Sequence, residues 1–518
     1  MILKTFSGMF TVGNNDEKKQ KDGYISSMLI VTSLTGILFE FFREYINPTS
    51  WYSYKQYASA LLLLFVLLLV SLVLWVVLCV LANYQSSRCL STPRNDPVST
   101  VVQILYGIFG VGTMIVHLLN FIIDVRCYRE NQLTLPEFKL QTNYFYMISS
   151  VGRALQIVFI CVQFISIRSL SKFQLKRGLL VNYFLSVILL TNVGFYLFNA
   201  FRLVYGIIQY ENTFGNFTTH SNKTSQSCYW LSPITSEFLL PLNKILLPIQ
   251  QEYHLLSICL IVSMLPKLGN IRREINDYVG SANDNEFYQS PTINSERQIR
   301  PFRIRRKSIL ISVSSVAMFI PGFIIVLIRQ TTYSDGSLFT FYQWCVMLPT
   351  TVIIVVILTG FHTLRKVDSV ASEAENYKGY LMDNDAIYIL SSVGEMIYNS
   401  IRLAFSITVS HSNVTSVRSV LLMIEIYYQT IFVISLKTVS IKRVIRRQQY
   451  LLLFLLFPNG LTWIYDEFFS LLPNFDEAYE IMIGNSWPTV QQIILPLSSF
   501  YRFQTFVHLY RFWKLASV

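Results

Sequence analysis

The chain is 518 residues long, 52% hydrophobic and 15% aromatic, yet only 14% charged, where an average soluble domain carries about 25% charged residues. At roughly 20 apolar residues per crossing, that length holds about a dozen spans with short connections and excludes a large soluble domain. The net charge of +12 does not point to nucleic acid, because membrane proteins gather Lys and Arg in cytoplasmic loops for topological reasons.

Twelve apolar segments follow in chain order, at 24–46, 57–82, 100–124, 144–167, 180–208, 238–266, 308–329, 341–364, 384–410, 415–436, 449–471 and 487–510. The first comes after a polar stretch with Asp16, Glu17, Lys18, Lys19 and Lys21. It has no small-residue cleavage site and reads as a retained span. With the N-terminus inside, the inner loops and termini hold about 29 Lys and Arg and the outer loops about five, which fixes the expected orientation. The sequons at Asn216, Asn222 and Asn413 all fall in loops that this orientation places outside. Both termini are therefore expected in the cytoplasm. Residues 268–306 are polar and rich in amides and hydroxyls, and read as a disordered cytoplasmic linker. The expected organisation is an N-terminus at 1–23, a six-helix half at 24–267, the linker, and a second half at 307–518. Among the seven cysteines no metal-ligand spacing occurs. Cys79, Cys161 and Cys259 lie in apolar runs and read as small buried hydrophobes, while Cys127 and Cys228 can pair in an oxidising compartment.

Six spans on each side of the linker place two copies in the same orientation, and short matches recur in order. The third segment has Val111-Gly112-Thr113-Met114-Ile115 and the ninth Val393-Gly394-Glu395-Met396-Ile397. Gln163 and Asn192 are followed by Tyr253 five residues after Pro248; Gln429 and Asn459 are followed by Tyr501 five after Pro496. The fold expected is an all-α polytopic membrane protein with two parallel six-helix repeats. Each Gln-Asn-Tyr set could close its bundle with a polar knot or line a narrow wet passage; any single member also suits plain hydrogen bonding between helices. Gly112 and Gly394 mark close helix approach.

Ionised groups near the bilayer centre cost at least a few kcal/mol and need a partner, water or neutralisation. Glu252 and His254 stand in the sixth segment, Glu395 and Arg402 in the ninth, Glu425 in the tenth, Asp466 and Glu467 in the eleventh and Arg502 in the twelfth, with His117 and Arg202 besides. Glu40, Arg43, Asp124 and Arg153 read as structural ion pairs or as side chains snorkelling to the interface. Glu252, Glu395 and Asp466 suit proton transfer instead. No Walker loop, His-Glu-x-x-His, Gly-x-Ser-x-Gly elbow or potassium filter occurs. An ATP-driven pump or membrane hydrolase is thereby disfavoured, and no enzymatic activity or cofactor is expected.

The run from Pro458 through Asn459, Trp463 and Asp466, and Ile494-Leu-Pro496 through Tyr501-Arg502-Phe503, resemble the last two helices of the otopetrin proton channels. Ser391-Ser-Val-Gly394-Glu395, Tyr428-Gln429-Thr430 and Glu252-Tyr253-His254 resemble the same family. The resemblance, to an invertebrate-type member, implies a proton-selective channel of the plasma membrane, opened or enhanced by extracellular acid, sensitive to zinc and working as a homodimer. It maps the polar constriction sets onto Gln163, Asn192 and Tyr253, and onto Gln429, Asn459 and Tyr501. Glu252, His254, Glu395, Asp466 and Arg502 become expected relay or gating groups. The end of the sixth segment, Met264-Leu265-Pro266-Lys267, departs from the family's aromatic and basic ending. The alternative is a proton-coupled secondary transporter, since paired six-helix halves also suit alternating access; a non-conducting receptor is a third class.

Overall fold

The computed structural model describes residues 31–39, 53–84, 100–131, 136–170, 179–215, 240–264, 306–322, 324–325, 336–371, 383–408, 412–438, 441–468 and 487–517. These form helices α1 (31–39), α2 (Ser53–Tyr84), α3 (Thr100–Asn131), α4 (Pro136–Leu170), α5 (Leu179–Gly215), α6 (Leu240–Met264), α7 (Arg306–Ala317), α8 (Gly336–Ala371), α9 (Asp383–Thr408), α10 (Asn413–Thr438), α11 (Ile441–Phe468) and α12 (Trp487–Ser517). Every one of the twelve apolar segments thus contains a helix. Among the described residues, six helices are by themselves long and apolar enough to cross a membrane: α2, α3, α4, α5, α8 and α10. Of the others, α9, α11 and α12 still run 26 to 31 residues, more than the roughly 20 that a bilayer core requires. Several polar residues that lower their hydropathy are buried, among them Glu395 and Asn399 of α9, Gln448 and Asn459 of α11, and Arg502 and Thr505 of α12.

The seventh segment departs from the continuous span expected at 308–329. Its helix turns at 318–319 and resumes at 320, beside Pro321, whose fixed φ suits the start of a new helix better than the interior of an old one. Deeper prolines are accommodated. Pro458 lies inside α11 and supplies no N–H to the carbonyl of Phe454 four residues earlier. Ser315 of α7 donates its hydroxyl to that carbonyl at 2.8 Å, so the proline also fixes where α7 docks.

Helices α2, α4, α3, α6 and α5 pack as a closed ring, each touching the next. Helices α8, α10, α9, α12 and α11 form a second ring with neighbours in the same order. Outside the rings, α1 brings Leu38 to α5 at Gly194, and α7 leans on α11. Gly112 faces Ile249, where an added Cβ would come within 2.6 Å of a methyl carbon; Gly394 faces Leu497, where it would come within 2.7 Å of that residue's Cβ. Ile249 directly follows Pro248 and Leu497 directly follows Pro496. Close helix approach at both glycines is as the sequence predicts.

Side-chain polarity is inverted relative to a soluble protein. Val73, Ile165 and Leu348 are more than 60% exposed, while Gln163, Asn192, Gln429 and Thr505 are fully buried. Water would penalise that exterior, and a lipid environment would not. Cys259 is buried, but Cys161 is exposed and Cys79 and Cys345 are half-buried, so burial of all the apolar-run cysteines does not hold: Cys161 lies on the apolar outer face. Cys127 is disulfide-bonded to a partner outside the described residues, where Cys228 also falls. Asn216, Asn222, Glu40, Arg43 and the linker up to residue 305 lie outside them too.

Candidate functional site

In the first ring the carboxamide of Gln163 is the hub. Its Nε2 has four acceptors in reach of its two N–H groups: Asn192 Oδ1 (3.1 Å), Tyr106 Oη (3.1 Å), Tyr253 Oη (3.2 Å) and Ser257 Oγ (2.9 Å). Its Oε1 accepts from Asn192 Nδ2 at 3.0 Å and from Trp75 Nε1 at 3.4 Å. Five helices contribute, and all six side chains are buried. Asn192 also donates to the Ile188 carbonyl and Ser257 to the Tyr253 carbonyl, each one helical turn back. The rings of Tyr106 and Tyr253 stack with centroids 5.1 Å apart.

The second ring repeats the scaffold with different bonding. Gln429 Nε2 donates to Asn459 Oδ1 at 2.7 Å, and Asn459 Nδ2 donates to the Leu455 carbonyl. Tyr388 and Tyr501 stack at 5.3 Å. Tyr501 hydrogen-bonds Thr430 and the Ile426 carbonyl rather than Gln429, and Tyr388 bonds Thr505 at 3.0 Å. The sequence sets Gln163, Asn192, Tyr253 and Gln429, Asn459, Tyr501 therefore converge within their own rings. Sequence reasoning missed Trp75, Tyr106, Ser257, Tyr388 and Thr505. A signal existed for the tyrosines, since Tyr106 and Tyr388 stand the same six residues before Gly112 and Gly394.

Beside the second set lies a buried charge cluster. Arg502 of α12 meets Glu395 of α9 through Nε (2.9 Å) and Nη2 (2.7 Å), and Glu425 of α10 through Nη1 (2.6 Å). Two carboxylates share one guanidinium, close to the Tyr501 ring. The matching places in the first ring are held by Thr113, Phe159 and His254, so only the second ring carries this cluster. His254 stacks on Phe195 and approaches Asn192 Oδ1 at 3.5 Å. Glu252 is buried within electrostatic reach of Tyr196. Arg402 packs over the Tyr398 ring. Asp466 lies on α11 with its side chain outside the described residues, as do those of Glu467 and Arg202.

Asp124 and Arg153 do not snorkel. Both are over 95% buried, because neighbouring helices supply polar partners that the single-helix view omits. Ser149 donates to Asp124 Oδ2 at 2.6 Å, Arg153 donates to His117 Nδ1 at 3.2 Å, and Gln250 stands 3.3 Å from His117 Nε2. Between the rings the seam is aromatic. Phe109 of α3 meets Trp463 and Phe503 edge-on at 6.1 and 5.9 Å, and Gln504 donates to Cys259 Sγ at 2.9 Å.

An apolar exterior, two rings closed by amide and phenol side chains, and ionisable groups paired at mid-helix define a polytopic all-helical membrane protein with a polar interior. The otopetrin family's sequence profile matches residues 211–503, more than half of the chain. The chain belongs to the otopetrin family, a family of ion-transporting channels. Glu252, Glu395, Glu425 and Arg502 fall inside the matched range; Gln163 and Asn192 precede it. No curated protein matches the chain.

Proposed function

We propose that the protein is a proton-selective channel of the plasma membrane that passes H+ down its electrochemical gradient and is opened by extracellular acid. The observation that carries this reading is the pair of buried polar sets with the Glu395–Arg502–Glu425 cluster beside one of them. Where amides and phenols touch directly, a hydrated metal cation has no bore to occupy, whereas a proton passes by exchange along hydrogen bonds and intervening water. Glu252, His254, Glu395 and Asp466 act as relay or gating groups, and Arg502 sets the charge of the cluster. The two rings derive from parallel six-helix halves, with both termini cytoplasmic and Asn216, Asn222 and Asn413 glycosylated outside. The channel is a homodimer in the bilayer, inhibited by zinc, and needs no ATP or cofactor.

Acid-driven flux tests this. Purified protein in liposomes carrying a pH gradient, with no other solute gradient and a potassium shunt for charge, should collapse the gradient. Collapse only when sodium or an organic solute is added would identify a coupled transporter instead.

A further inference from the structure

The two rings use matching residue types but leave different hydrogen-bonding valences open. Both amide atoms of Gln163 are engaged, with Trp75 closing one side. In the second ring Asn459 Nδ2 is committed to the Leu455 carbonyl, so its Oδ1 faces Gln429 and the Gln429 amide must present Nε2 to it. Gln429 Oε1 is left, in a fully buried side chain, with no partner among the described residues. The place of Trp75 is taken by Ile357, as many residues before Tyr388 as Trp75 is before Tyr106. Ile357 belongs to the same buried apolar cluster as Ile426, Phe432 and Leu455 and offers no side-chain donor.

Buried acceptors in native proteins are satisfied by protein or by ordered water. The pattern extends along the second ring. Asn399 Oδ1 on α9 and Gln448 Oε1 on α11 are also buried without partners among the described residues, and Gln448 lies about 16 Å along α11 from Asn459. In the first ring, among the described residues, the open valences lie on other side chains than Gln163: at Asn182 and Ser186 toward one end, at Asn199 and Gln251 toward the other, and at His254 Nε2 on α6.

We infer that the rings are functionally unequal: the second binds water at Gln429 Oε1 and carries the proton, while Trp75 and the saturated Gln163 hub stop the first, so that of the two roles Glu252 and His254 keep gating and not relay. The water site stands on hydrogen bonding alone; its role in conduction rests on the proton-channel reading above.

The test has two arms, both on the full chain. Pulsed X-ray hydroxyl-radical footprinting with mass spectrometry marks residues beside internal water. The stacked pairs Tyr388–Tyr501 and Tyr106–Tyr253 are all buried and serve as mutual controls. Peptides with Tyr388 and Tyr501 should be modified at least about threefold faster; equal or reversed rates overturn the water site. In liposomes, Gln429→Leu or Gln429→Met should cut proton flux about tenfold or more, and adding Trp75→Ile, which gives the first ring the second ring's residue, should restore a measurable part of it. Undiminished flux in both Gln429 variants overturns the assignment of the conducting ring, and no recovery with Trp75→Ile overturns the Trp75 stop. Faster labelling in a wild-type protein that passes no protons would leave the water site standing and remove the channel reading.

Discussion

Replacing Arg502 by methionine removes the only guanidinium bonded to Glu395 and Glu425 within the described cluster, leaving two buried carboxylates facing each other. Arg502 makes three contacts of 2.6 to 2.9 Å, all in a site less than 5% exposed. Breaking a buried pair by deleting one partner costs about 3–5 kcal/mol, most of it the uncompensated charge left behind. Spread over the unfolding entropy of a chain this long, that corresponds to a fall in melting temperature of about 3–5 °C if the whole chain unfolds together. Fluorescence-detected thermal melts of detergent-solubilised protein measure it. The same argument requires that Arg502→Met combined with Glu395→Gln and Glu425→Gln regain much of the loss, because the triple variant buries no net charge. Wild-type stability in Arg502→Met, or a triple variant no better than the single, would refute the view that the guanidinium's compensation of Glu395 and Glu425 holds α9, α10 and α12 together.

The glycine contacts predict an order of effects. Gly394→Ala should cost about 1–3 kcal/mol, since its Cβ meets the Cβ of Leu497, which cannot rotate away, while Gly112→Ala meets only a methyl of Ile249 and should cost less; thermal melts of the two variants check this. Ser315→Ala should cost about 1–2 kcal/mol by stranding the Phe454 carbonyl, and in a double-mutant cycle with Pro458→Ala that cost should shrink because the restored N–H takes over. For conduction, Glu395→Gln keeps a hydrogen-bond acceptor for Arg502 but loses the charge, so whole-cell recordings should show altered conductance or pH dependence at unchanged surface expression.

Much of the architecture was legible in the sequence because lipid imposes a simple length rule. Each apolar run became a helix, and the Gly112 and Gly394 contacts followed from two short matching strings. The Gln-Asn-Tyr sets were legible by collinear spacing, but their bonding was not. Trp75 on Gln163, or Thr430 on Tyr501, depends on which helices are ring neighbours, and no periodicity within a single helix encodes that. For Arg153 and Asp124 the sequence left a structural pairing and snorkelling side by side, and the choice between them has the same root: it needs His117 and Ser149 to be seen across the packed interface. Pairing of Glu395 with Arg502 likewise needed α12 to be placed beside α9. The break that ends α7 at 317 had a visible cause in Pro321, which hydropathy averaging hid.

The central claim is that the polar interior passes protons and nothing larger. Whole-cell recording of the reversal potential across imposed pH steps tests it most directly. A tenfold proton gradient is worth about 1.36 kcal/mol and 100 mV about 2.3 kcal/mol per charge, so a proton-selective path shifts its reversal potential by about 59 mV per pH unit. The account predicts that slope with sodium, potassium and chloride exchanged for impermeant ions. A reversal potential that ignored pH and followed any of those ions would contradict it.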